Sequence, residues 1–188
     1  MLSKIIEEAT SAVTAAIKGV DNILDAITGS VKDQVVNLLK GSGEIAGSTV
    51  EAIASVASGT VRGAGQVGAS VTDTVASTMS GAVKGVDQVG GDVLEAVSGT
   101  ARGVVRATAD VGGDVGAAAV TAVESAIKAA GDVGADTSEA AKAAVGGALG
   151  AATNVGESAV GTVRSALLSA AALPRDVIES AVKGSEDK

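Results

Sequence analysis

The chain has no Phe, Trp or Tyr, no Cys, no His and a single Pro in 188 residues. Each absence removes a class of chemistry. Without Cys and His, the usual ligands of zinc, haem and iron–sulfur clusters are missing. Thiol catalysis and a Ser-His-Asp triad cannot be built. No catalytic, cofactor-binding or metal-ligating residue is therefore expected, and no enzyme activity. Without aromatics a core also loses the side chains that dominate burial energy. The net charge of −8 makes a nucleic-acid phosphate backbone a poor partner. The opening MLSKIIEEAT puts Glu7 and Glu8 where a signal peptide would carry its apolar run. No stretch reaches the roughly 18–20 apolar residues of a membrane span. A cytoplasmic or membrane-peripheral location is the default expectation.

What the chain does have is 26 Gly and a 46% apolar content supplied mostly by Ala and Val, arranged with a strict period. VGGDV occurs at Val89–Val93 and again at Val111–Val115, 22 residues on. Written in rows of 22 from Met1, the first column reads Met1, Ile23, Ile45, Val67, Val89, Val111, Val133, Val155 and Val177, without insertion or deletion. The second column of the middle rows is Gly68, Gly90, Gly112, Gly134 and Gly156. Apolar residues recur every fourth position within a row, as in Val67, Val71, Val75, Met79 and Val83. That spacing is helical, whereas a strand would alternate with period two. It also argues against a β-solenoid, the other architecture built from Gly-rich rows of this length.

Twenty-two residues make six turns at about 3.67 residues per turn, so the apolar stripe does not drift. The fold expected is all-α: one very long Gly/Ala/Val-rich amphipathic helix, or a few long ones. Residues 1–176 form a continuous array of eight rows, and 177–188 a partial repeat with a polar tail. A single helix of this length would extend about 280 Å. Hinges are expected at Gly41-Ser42-Gly43 or at Gly146-Gly147, and Pro174 should start or kink the last segment. The expected packing face is Val67, Val71, Val75, Val83, Val89, Val93, Val97, Val111, Val115, Val133 and Val155.

Glycine costs about 0.8–1 kcal/mol relative to Ala in a helix, roughly 20–26 kcal/mol if all 26 were helical. Such a helix needs another helix, another subunit or a lipid surface to stabilise it. Gly68, Gly90, Gly112, Gly134 and Gly156 are read as close-packing glycines, and the pairs Gly81/Gly85 and Gly99/Gly103 have small-xxx-small spacing. Two charged columns lie opposite the apolar stripe. The seventh holds Glu7, Glu51, Asp73, Glu95 and Glu139, and the eighteenth holds Lys18, Lys40, Arg62, Lys84, Arg106 and Lys128. A neighbouring helix shifted by half a row would set one column beside the other. A solvated face is the alternative.

Other motifs carry little. Gly63-Ala64-Gly65-Gln66-Val67-Gly68 spells GxGxxG but lacks the preceding strand that a dinucleotide site needs. Asp110/Asp114 and Asp132/Asp136 read as a solvated acidic edge rather than a calcium loop.

Segments such as residues 58–77, SGTVRGAGQVGASVTDTVAS, resemble the 11- and 22-residue repeats of synucleins, perilipins and exchangeable apolipoproteins. The eleven-residue period is also similar to that of late-embryogenesis desiccation proteins. The resemblance implies an amphipathic helix that folds on a lipid or oil surface. Three functional expectations follow. The first is a structural protein whose helices pack laterally with other copies of the chain into a filament, tube or coat. The second is a coat on a lipid droplet, granule or membrane, and the third a stress-protective disordered chain.

Overall fold

The computed structural model describes residues 23–40, 46–66 and 68–184. Among these, eight helices and no strand are found. Helix α1 covers residues 23–40. It is followed by α2 (Ala46–Gln66), α3 (Val71–Gln88), α4 (Val93–Asp110), α5 (Val115–Asp132), α6 (Thr137–Val155), α7 (Glu157–Ser169) and α8 (Arg175–Gly184). The all-α expectation holds, and the very long helix does not. From α3 to α6 each 22-residue row is one helix and one turn, the helices opening at Val71, Val93, Val115 and Thr137.

The pentapeptide VGGDV is the turn. In 89–93, Val89 closes α3 and Gly90 adopts φ +69°. The Gly90 amide then donates to the Asp87 carbonyl (3.0 Å) and the Gly91 amide to the Val86 carbonyl (3.0 Å). This is a Schellman closure, which satisfies carbonyls that a helix end would otherwise leave bare. Gly68, Gly112 and Gly134 repeat it with φ between +71° and +76°. An L side chain avoids that region, and glycine does not. The fourth column then starts the next helix. Asp92 Oδ1 accepts from the amides of Leu94 (2.8 Å) and Glu95 (3.2 Å), and Asp136 Oδ1 from those of Ser138 (2.8 Å) and Glu139 (3.0 Å). Asp114 and Ser70 cap α5 and α3 in the same way.

The second-column glycines are thus turn residues, not packing residues. A Cβ on Gly68, Gly90, Gly112, Gly134 or Gly156 would meet nothing within 4 Å. The fifth of them departs from the others, with Gly156 at φ 143° and α7 beginning at once on Glu157. The expected hinge at Gly146-Gly147 lies inside unbroken α6, and the one at Gly41–Gly43 lies outside the described residues. Pro174 does start the last helix: its carbonyl accepts from the Ile178 amide at 3.0 Å. That helix, α8, leaves the 22-residue register and spans the expected boundary at 176/177.

Helices separated by one turn fold back on each other, and helices two apart pack side by side. One row is α1, α3, α5, α7 and the other α2, α4, α6, α8. From α2 to α8 no helix touches one more than two places away, the quasi-one-dimensional pattern of a helical solenoid. Helices in the same row run parallel. Gly99 and Gly103 of α4 face Val50 and Ala54 of α2, and Gly81 and Gly85 of α3 face Thr28 and Lys32 of α1.

With Val and Ala as the main core residues, burial depends on close approach. Cβ atoms at Gly81, Gly99, Gly103 and Gly147 would stand 2.6, 2.6, 2.2 and 2.3 Å from a backbone carbonyl oxygen of the helix alongside. Around these contacts lie Val75, Met79, Val83, Val97, Ala101, Val104, Val123, Ala126, Ala144 and Val145, all fully buried.

Candidate functional site

The expected packing face divides into three groups. Val75, Val83 and Val97 are core. Val71, Val89, Val93, Val115 and Val133 are half-buried. Val111 and Val155 are 41% and 45% exposed, which corrects their placement on that face. Both stand where a helix ends, Val111 as the C-cap of α4 and Val155 as the last residue of α6. Val67 lies outside the described residues.

The charge columns also have a local origin. Asp73, Glu95 and Glu139 occupy the first turns of α3, α4 and α6, where the helix dipole favours an acid. Glu95 and Glu139 follow Asp92 and Asp136 by three residues, a capping-box spacing that sequence reading could have used. Among the described residues no ion pair joins the seventh column to the eighteenth. Arg62 pairs with Asp110, Arg102 with Glu51, and Lys142 with Glu139 (2.7 Å). Each pair joins one column residue to a partner outside both columns. The Glu139 carboxylate, through its hydrogen bond and its charge, raises the pKa of Lys142. Lys40, Lys84, Arg106 and Lys128 are exposed, and Lys18 and Glu7 lie outside the described residues. Asp110 and Asp114 fall on opposite sides of a turn, one ending α4 and one capping α5, so they do not form a shared helical edge.

GxGxxG has a similarly plain role. Gly63 and Gly65 lie in the last turn and a half of α2, and Gly68 is the turn glycine after it. Among the described residues no three His, Cys, Asp or Glu side chains gather as a metal site requires, and no helix is long and apolar enough to cross a membrane.

The surface that stands out is on α2, the first described helix of the even row. The fifteenth column holds Gly59, Gly81, Gly103 and Gly147, and the nineteenth adds Gly63 and Gly85. Gly81, Gly85, Gly103 and Gly147 each press on the helix two places earlier. Among the described residues, nothing lies within 4 Å of where a Cβ on Gly59 or Gly63 of α2 would be. They line a groove of about 570 Å³ between α1 and α2, with walls that include Ile23, Ile27, Val31 and Val56. Ile23 is 43% exposed on its rim. A helix is what the same columns receive elsewhere in the molecule. Compared with known proteins, the chain matches no protein-family model and no curated protein.

Proposed function

We propose that the chain is a non-enzymatic structural protein whose helical repeats associate with further copies of the chain, extending the two-row packing into a filament, tube or coat. The observation that carries this reading is the Gly59/Gly63 face of α2, against which nothing lies among the described residues. Its equivalents on α3, α4 and α6 are in backbone contact with a neighbouring helix. A smooth groove with apolar walls accepts a helix at a backbone distance that larger side chains would forbid. Solenoid ends propagate readily because each repeat contacts only its neighbours, and a head-to-tail contact that does not close gives an open filament.

Sedimentation velocity over a range of concentrations tests it. The wild-type chain should grow in mass with concentration, and Gly59→Leu/Gly63→Leu should remain a folded monomer. A wild-type chain that stays monomeric throughout would overturn the proposal, as would a double variant that assembles unchanged.

The lipid reading draws on a different observation, a core of Val and Ala with no aromatic anchor. Such a bundle could open and lay its apolar columns on an oil surface, where exchangeable apolipoproteins are the resemblance. Adding neutral vesicles to the monomer distinguishes it: loss of the helix–helix contacts with retained helicity belongs to the lipid reading alone.

A further inference from the structure

Between α2 and α4, next to the α1/α2 groove and sharing Ser55 and Gly59 with it, three guanidinium groups border one cavity of about 260 Å³. It is lined by Ser55, Ser58 and Arg62 from α2 and by Arg102 and Arg106 from α4, with Glu51 at the edge. From this arrangement we infer a binding site for a phosphate group.

The polar groups there are unequally satisfied. Asp110 holds Arg62 and Glu51 holds Arg102, so those two side chains are oriented at the rim. Arg106 has no ion-pair or hydrogen-bond partner among the described residues. The cluster is therefore left with one positive charge in excess, on a chain whose net charge is −8. Ser58 supplies a separate observation. It is 8% exposed, and its hydroxyl is buried without a hydrogen-bond partner. Other hydroxyls in these helices avoid that cost by donating to the carbonyl four residues back, as Ser55 does to Glu51 at 2.8 Å and Thr78 to Thr74 at 2.7 Å. A buried hydroxyl with no partner calls for an explanation, and a ligand oxygen in the cavity provides one.

A phosphate group fits the chemistry. It is small enough for the cavity with room left for water. Its several acceptor oxygens match the planar forks of arginine and can take a hydroxyl donor as well. The close contact of Gly103 with Ala54 fixes the two walls at a constant separation.

The test is thermal unfolding of the full chain in inorganic phosphate against chloride at matched ionic strength, with affinity read by phosphorus NMR. Phosphate should raise the wild-type melting temperature beyond chloride, as a ligand of the folded state does. Arg106→Gln should weaken phosphate binding by about tenfold or more. Ser58→Ala should melt higher than wild type without phosphate and gain less from its addition. Lys128→Gln, an exposed base on α5, should respond like wild type.

A parallel arm uses vesicles of phosphatidic acid and of phosphatidylcholine. Binding to the former alone, lost in Arg106→Gln, would place the same phosphate chemistry on a lipid headgroup. The inference is overturned if phosphate acts no differently from chloride and no vesicle binding depends on Arg106. It is equally overturned if Ser58→Ala and Arg106→Gln keep the full wild-type response.

Discussion

Gly103 on α4 lies against the backbone of Ala54 on α2 so closely that a Cβ at Gly103 would stand 2.2 Å from the Ala54 carbonyl oxygen. This contact, with its counterparts at Gly81, Gly99 and Gly147, lets a core without aromatic side chains exclude water. Small side chains contribute little area each, and helices that touch at the backbone recover part of it as close packing.

Glycines in this chain should accordingly respond to alanine with opposite signs. Gly103→Ala forces α2 and α4 apart and should cost about 1–3 kcal/mol or more. Gly161, in α7, has nothing within 4 Å of its Cβ position. Gly161→Ala should stabilise by about 0.5–1 kcal/mol, because the helix loses a flexible residue and gains no clash. Urea unfolding of the two variants checks both signs. Equal effects would mean that the close contact does not exist.

The third column offers a finer test. It holds Gly91 and Gly113 where the residue five places earlier is Val86 or Thr108, and Ala69 and Ala135 where it is Ala64 or Ala130. A Cβ at Gly91 would meet Val86 Cγ1 at 2.9 Å. Gly91→Ala alone should therefore cost about 1–3 kcal/mol. Val86→Ala alone leaves a small cavity. Combined, they should cost less than their sum by about 0.5–1 kcal/mol, because the pair then matches Ala130/Ala135. A double-mutant cycle by chemical denaturation gives this coupling, and strict additivity would contradict it.

Each cap should carry its own share. Asp114→Ala removes the acceptor for the Ala117 amide (2.9 Å) and should cost about 0.5–2 kcal/mol. Asp114→Ser should cost only a few tenths, since Ser70 already fills the equivalent position before α3. Thermal denaturation of both variants compares them. If the alanine and serine variants melted together, the side-chain cap would not matter.

The sequence made the period, the helical class and much of the buried face legible. Val75, Val83 and Val97 are core because spacing of four places them on the inner face. It hid the turns for an arithmetical reason. An 18-residue helix such as α4 and a four-residue turn such as Val89–Asp92 sum to a whole number of helical turns. The pattern therefore keeps phase whether the chain continues or folds back, and periodicity alone cannot separate the two. Local chemistry could have done so. A glycine in a fixed column followed two residues later by Asp or Ser is a helix stop and a helix start in sequence. The groove at Gly59 and Gly63 was not legible at all, because an open glycine and a packed one are the same letter. Nor was the arginine cavity, because Arg62 and Arg106 share a column while Arg102 stands outside it.

The central claim, one helix per row with reversal at each Val-Gly turn, is tested most directly by a distance between α3 and α5. Lys84 and Lys128 are exposed, 44 residues apart and in the same column, and the chain has no cysteine to interfere. Spin labels on Lys84→Cys/Lys128→Cys, diluted into unlabelled protein, should give a separation of roughly 10–25 Å, one helix spacing plus two label arms. A separation near 66 Å, the span of 44 residues at about 1.5 Å each, would mean a continuous helix and would contradict the account.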